Sequence, residues 1–350
     1  MTNKVNAYGA MSSTTPLEPL VIERRDVGEH DVQLDIKYSG VCHSDIHMTR
    51  DEWGFNSIYP MVPGHEIVGV VTQVGTNVHQ FKIGDVVGVG VMVGSCQKCT
   101  PCTNGHEQYC EQDFIGTYGA KDIYHNNEIT HGGYSNSIVV DEKFVLYIPQ
   151  PLLPKLNAVA PLLCAGITTW SPLNHWKVGG SHTVGVIGLG GLGHMAIKFA
   201  RALGAHVVAI TTSIDKIADA KKLGAHEVLL SNNPDEIKKY TTKFDFLLNT
   251  VPHSHNISQY VNLLKLDGVM VIVGALVPLD GLNGAELLSH RRVVTGSAIG
   301  GIKETREMLD FCAKHDILPD VELIKMEEIN TAYTRMINGD VKYRFVIEMN

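Results

Sequence analysis

Residues 183–193 read TVGVIGLGGLG, an apolar run that ends in G-x-G-x-x-G at Gly188, Gly190 and Gly193, and HMAIKFARALGA follows with helical spacing. Such a turn says little in isolation, but between a strand and a helix it fixes a great deal. Gly188 allows the tight turn, Gly190 lets the backbone approach a pyrophosphate, and Gly193 lets the helix pack closely on the strand. The helix N-terminus then offers free N–H groups and a positive dipole end to phosphates. Gly188, Leu189, Gly190, Gly191, Leu192 and Gly193 are therefore the expected cradle of a dinucleotide. From about residue 155, helical stretches alternate with apolar strands at Val184–Ile187, Val207–Ile210, Phe246–Leu248 and Val269–Val273. That alternation is the pattern of βαβ units in a doubly wound parallel sheet.

The second strand of that unit, AHVVAITTS, bears on which dinucleotide binds. An NAD site usually places Asp or Glu at this strand's end, on the ribose 2′-OH. This chain has Thr211, Thr212 and Ser213 there, followed by Lys216. Hydroxyls and an ammonium suit a 2′-phosphate, which a carboxylate would repel, so NADP(H) is the expected cofactor. Ser213 can also serve as a helix N-cap, and Asp215 remains an alternative ribose acceptor.

Residues 30 to about 150 have a different texture. Short alternating runs such as DVQLDIKY (31–38) and EIVGVVTQV (66–74) are separated by turn residues, as in VGTN (74–77) and KIGD (82–85). This reads as an antiparallel, barrel-like β domain. In the last fifty residues, ETREMLDFCAKH (304–315) reads as a helix and YRFVIE (343–348) as a strand. Within the β region, Cys96, Cys99, Cys102 and Cys110 are spaced C-x2-C-x2-C-x7-C. Four thiolates matched to a tetrahedron make a structural zinc site with no vacancy for substrate. A C-x-x-C redox pair would leave two of the four unexplained.

A formal net charge of −8 gives no electrostatic reason to bind nucleic acid or an anionic membrane. The N-terminal residues have no basic stretch followed by an apolar core, and the apolar run near residues 183–197 is too short and glycine-rich to span a bilayer. A cytoplasmic location follows as an expectation. There thiols stay reduced, and seven cysteines point to metal or catalysis before disulfides.

A second set of ligand types is dispersed: Cys42 in GVCHSDIH, His65 and Glu66 in MVPGHEIVG, and Cys164 in PLLCAGITTW. Two cysteines and a histidine leave one zinc position open for water or an oxygen-bearing substrate. Sequence distance alone does not bring them together. These segments, with the four-cysteine lobe, GLGGLGHMAIKFA and VKYRFVIE, resemble the zinc-dependent medium-chain alcohol dehydrogenases over essentially the whole chain. Within them the chain is most similar to the cinnamyl alcohol dehydrogenase subfamily, which includes broad microbial aldehyde reductases.

The resemblance implies an α/β fold: a GroES-like β-rich catalytic domain (1–155 and 300–350) and a Rossmann doubly wound parallel-sheet domain (156–299). It implies that Cys42, His65 and Cys164 hold the catalytic zinc and that Glu66 coordinates it transiently. Asp45 would fix the His65 tautomer. Ser44 would be the relay hydroxyl, where threonine is the commoner family residue, passing a proton through the nicotinamide ribose to His47. Thr168 and Arg344 would contact the cofactor, and Trp53 and Tyr118 lie in segments that line the family's pocket. The implied enzyme holds two zinc ions per subunit and NADP(H), acts on small aldehydes and alcohols as a homodimer, and reduces aldehydes reversibly. Residues 114–134 depart from the plant lignin enzymes, which favours a broad aldehyde range. The alternatives are an NAD-dependent alcohol or polyol dehydrogenase, against which Thr211 and Cys164 speak, and a non-catalytic nucleotide-binding relative, against which the complete set of ligands speaks.

Overall fold

In the computed structural model, which describes residues 3–274 and 276–349, the chain divides between Cys164 and Ala165 and again between Ile299 and Gly300. One unit is Met1–Cys164 with Gly300–Asn350, and the other is Ala165–Ile299.

The first unit is organised on the strand Asp31–Gly40, whose Val32, Leu34 and Ile36 alternate into the core and are essentially inaccessible. The sheet runs, neighbour to neighbour, Val145–Tyr147, Val86–Val89, Ile67–Val74, Asp31–Gly40, Arg344–Glu348, Val321–Ile324, with Ser137–Asp141 also paired to Asp31–Gly40. All pairings are antiparallel except that of the last two strands. The C-terminal strand is thus an interior strand of a sheet built mostly from the first 150 residues. Its Phe345, Val346 and Ile347 are fully buried, as a strand covered on both faces requires. A separate antiparallel hairpin, Asn3–Gly9 with Glu18–Arg24, completes the N-terminal part and escaped the sequence reading.

The sequence reading ends the β domain at residue 155, whereas the units part at Cys164. The intervening helical turns, Leu156–Val159 and Ala160–Leu163, pack on Asp31–Gly40, Ile67–Val74 and Arg344–Glu348. Val159, Leu162 and Leu163 fill the core of that sheet. An unbroken apolar run has no period that says which sheet it will cover.

The second unit is a six-stranded parallel sheet in the order Glu227–Leu230, His206–Thr211, Thr183–Ile187, Phe244–Asn249, Leu264–Ile272, Val293–Gly296. Numbered along the chain this is 3-2-1-4-5-6, the doubly wound arrangement. The order in which strands are added reverses between Thr183–Ile187 and Phe244–Asn249, so the glycine-rich turn lies at the carboxyl end of a strand at the switch point, where such sheets take ligands. Among the described residues no single helix is long and apolar enough to cross a membrane.

Candidate functional site

The dispersed ligand types meet inside the first unit. Cys42, His65, Glu66 and Cys164 are all buried, with one ligand atom from each lying within 4.8 Å of the others. The Sγ atoms of Cys42 and Cys164 are 4.0 Å apart. Two sulfurs bound to one tetrahedral zinc lie about 3.8 Å apart at ordinary Zn–S distances, so the donors fit that ion without rearrangement. The helix His43–Thr49 sets Cys42: Cys42 is its N-cap and Asp45, in the first turn, accepts the Cys42 N–H at 2.8 Å. A carboxylate there also suits the helix dipole. The other oxygen of Asp45 lies 3.0 Å from His65 Nδ1, which leaves Nε2 as the ligand atom. Burial opposes the imidazolium, yet Asp45 holds His65 well above the usual imidazole range. The Cys164 contact lowers the Cys42 thiol, and the same contact with burial pushes Cys164 up.

Glu66 is the fourth candidate ligand, and it has a rival. Its carboxylate is ion-paired with the Arg344 guanidinium, and both side chains are buried. Burial still pushes Glu66 up to about 7 against the pull of Arg344. Removing one partner of such a buried pair costs about 3–5 kcal/mol, because the other charge is left uncompensated. The sequence reading sends Arg344 to the cofactor, but the contact found is with Glu66. With Glu66 held, two sulfurs and one imidazole remain as the ready ligands and one coordination position stays open.

Ser44 Oγ lies 3.5 Å from Cys42 Sγ, and His47 follows on the same helix three residues later. His47 Nδ1 is 2.5 Å from Glu52 Oε2 and its ring centroid is 5.0 Å from that of Trp53. His47 is therefore oriented by a carboxylate and an aromatic ring, which is more than a plain surface residue needs. Tyr118 is buried with its ring 5.7 Å from the His65 ring. Trp53, half-buried, sits beside His47 and Phe55. Both residues singled out for the pocket thus border the centre's own side chains.

The four-cysteine lobe forms a second centre. Its ligand atoms also lie within 4.8 Å of one another, with Sγ–Sγ distances of 3.9 Å for Cys96–Cys102 and 4.0 Å for Cys99–Cys110. None of the four is in a disulfide. The N–H of Lys98 lowers the Cys96 thiol to about 6, while burial pushes Cys102 to about 12. Between Cys102 and Cys110, Glu107 Oε2 accepts the N–H of Ile302 at 3.0 Å and caps the helix Ile302–His315. The lobe therefore holds the start of the C-terminal segment as well as its own loop. Cys102→Ala is expected to lose one zinc ion and to lower the unfolding midpoint by about 5–10 °C. Limited proteolysis should then cut within residues 94–113 first; an unchanged midpoint would show that the lobe needs no metal.

In the second unit the glycine-rich turn has the shape a dinucleotide needs. Gly188 has φ +92°, and a Cβ on Gly193 would lie 2.1 Å from the Gly188 carbonyl oxygen. Neither position accepts a side chain without moving the turn. A Cβ on Gly190 would meet nothing within 4 Å, so the space over the helix Gly191–Ala202 N-terminus is open to a phosphate. Lys216 Nζ donates to the Leu189 carbonyl at 3.1 Å, which brings its ammonium to the rim of this cradle. Thr212 and Lys216 are exposed and Ser213 half-exposed. Ser213 occupies the N-cap position but makes no capping hydrogen bond with its side chain. Thr211 is more buried and accepts the Ser213 N–H at 3.2 Å. Thr168 is buried on the helix Ala165–His175 in the same unit.

Three residues at these sites escaped the sequence reading. Glu52, just past the helix that carries His47, carries a faint signal as a carboxylate five residues on. Thr250, whose hydroxyl donates to the Ile187 carbonyl at 2.8 Å, gave none. Tyr134, in a Gly-Gly-Tyr-Ser segment, donates to Asp45 at 3.1 Å from 89 residues away.

Residues 28–150 match the family described as alcohol dehydrogenase GroES-like domain, and residues 191–314 match that described as zinc-binding dehydrogenase. The chain is 53% identical to aldehyde reductase YahK of Escherichia coli over 99% of its own length and 98% of that protein. It is 51% identical to NADP-dependent alcohol dehydrogenase C 1 of Mycolicibacterium smegmatis, covering 98% of this chain and 97% of that one. Among solved structures it superposes on the cinnamyl alcohol dehydrogenase of Helicobacter pylori complexed with NADP(H), with a TM-score of 0.92, 42% identity and coverage of 100% and 99%.

Proposed function

Because the chain belongs to the zinc-binding alcohol dehydrogenases with a GroES-like domain, we propose that it reduces aldehydes to primary alcohols with NADPH, reversibly and over a broad aromatic and aliphatic range. The observation that carries this reading is the buried Cys42–His65–Cys164 cluster whose fourth candidate ligand, Glu66, is held by Arg344. Zinc bound there supplies a Lewis acid for the aldehyde oxygen, and NADPH supplies the hydride.

The chain's own groups do the rest. Asp45 keeps the His65 Nδ1 proton in place and so the ring in its ligand tautomer. The Ser44 hydroxyl gives the product oxygen its proton and is reprotonated from solvent by way of His47, which Glu52 orients. With zinc bound, Glu66 would be the carboxylate available to the open position as product leaves, and its ion pair with Arg344 would hold it back meanwhile. Gly188 to Gly193 and Thr168 seat the dinucleotide, while Thr211, Thr212, Ser213 and Lys216 recognise the 2′-phosphate. Trp53 and Tyr118 give the substrate pocket aromatic walls.

We place the enzyme in the cytoplasm as a homodimer. The exposed edge strand Val293–Gly296, with Leu288 84% exposed in the helix before it, is the surface that supports pairing. A mass of one chain by light scattering would reject the dimer. For the activity, NADPH deuterated at the transferred C4 position should give benzyl alcohol with one deuterium at the carbinol carbon from benzaldehyde. Alcohol without the label, or no turnover, would overturn the reading.

A further inference from the structure

Asp45 is wholly inaccessible, and its carboxylate takes four donors. Oδ2 accepts the Cys42 N–H at 2.8 Å and the Tyr134 hydroxyl at 3.1 Å; Oδ1 accepts the Gly64 N–H at 3.2 Å and faces His65 Nδ1 at 3.0 Å. Three of these donors belong to the ligands or their immediate neighbours. The fourth arrives from a separate loop, and a substitution that removes it touches neither backbone nor ligand; the Tyr118 phenol also reaches this carboxylate.

That loop is built to deliver it. The Tyr134 N–H donates to the Pro63 carbonyl at 3.0 Å, the Gly133 N–H to Gly64 at 2.8 Å, and the Tyr134 carbonyl accepts from the Tyr8 N–H at 2.8 Å. Gly64, at φ +102°, is cut to fit the ring: a Cβ there would lie 2.7 Å from Tyr134 Cδ1. Behind the loop, the buried Arg24 donates to the carbonyls of His131, Gly132 and Ser137 at 2.6–3.0 Å and to Ser135 Oγ at 2.8 Å. A buried guanidinium spent on one loop's carbonyls fixes that loop on both sides of Tyr134. Tyr134 is itself fully buried, packed among Val41, Ile46 and Val62 with the phenol of Tyr333 beside it. A phenol placed there is unfavourable unless it donates, and a phenylalanine would fill the space. Its hydroxyl is explained by its acceptor.

We propose that Tyr134 is a positioning residue for the open metal centre: its hydroxyl locks the Asp45 carboxylate so that one oxygen stays on His65 Nδ1 while Nε2 faces the metal. The proposal rests on the reading of Cys42, His65 and Cys164 as zinc ligands. Groups that orient a metal-bound histidine contribute about 10- to 100-fold to affinity, and Tyr134, one bond further out, is expected at the lower end.

The test is zinc transfer from the intact protein to a chromophoric chelator. Wild type should release two zinc ions in two phases, the Cys96–Cys110 lobe being one of them. Tyr134→Phe should weaken zinc about tenfold in the other phase and leave the lobe's phase unchanged. In an Asp45→Asn background the same substitution should change that phase less than twofold, since its route runs through the carboxylate. Equal release from wild type and Tyr134→Phe, or an equal loss in both backgrounds, would overturn the proposal and leave the hydroxyl a packing feature. Wild type holding one zinc ion would instead overturn the ligand reading beneath it.

Discussion

Cys164→Ala is expected to lower kcat/KM for benzaldehyde by about three orders of magnitude and to cut the zinc content from two ions per chain to one. A metal Lewis acid supplies several kcal/mol of stabilisation to charge developing on the carbonyl oxygen, and about 4 kcal/mol is a factor of about a thousand. Cys164 is chosen because its sulfur contacts Cys42 Sγ at 4.0 Å and takes no part in the hydrogen bonds that Asp45 anchors. The four-cysteine lobe lies outside the substitution, and the remaining zinc should resist chelation as it does in wild type. Metal analysis alongside steady-state kinetics checks both halves. A variant that keeps its turnover after losing the ion would separate the reaction from this centre.

Lys216→Ala is expected to reduce kcat/KM for NADPH by about 10- to 100-fold and to leave that for NADH within about threefold. A charge-assisted hydrogen bond is worth about 1.5–3 kcal/mol, and the 2′-phosphate is present on one cofactor and absent from the other. Lys216 also donates to the Leu189 carbonyl, so part of the loss could come from a loosened turn. The two cofactors divide these contributions: loss of the turn penalises NADPH and NADH alike, loss of the phosphate contact NADPH alone. An equal fall with both would assign Lys216 to the turn and leave the phosphate to Thr212 and Ser213.

What could be read from the sequence follows how local each feature is. The glycine-rich turn is legible because its constraints act within eleven residues: the steric demand at Gly193 is imposed by Gly188, five residues earlier. The four-cysteine lobe is legible for the same reason. Cys42, His65 and Cys164 meet only in the folded sheet, and nothing in their spacing joins them; the family resemblance did so, and the 4.0 Å sulfur contact agrees with it. Arg344 needed the C-terminal strand to return beside Asp31–Gly40 before its guanidinium could meet Glu66. Tyr134 was invisible for a related reason, since a tyrosine in a glycine-rich loop has no local pattern that names an acceptor 89 residues away. The boundary read at residue 155 lies short of the division at Cys164 because PLLC and its neighbours are uniformly apolar, and only packing decides which sheet they cover.

Initial rates of zinc-replete protein with benzaldehyde, cinnamaldehyde and a short aliphatic aldehyde, measured with NADPH and with NADH, separate an NADPH-dependent reductase from an NAD-linked oxidiser. A kcat/KM about a hundredfold higher with NADPH, for more than one of the three aldehydes, is the predicted result. A ratio at or below one would contradict it, move the ribose contact to a carboxylate such as Asp215, and turn the enzyme into an NAD-linked alcohol oxidiser.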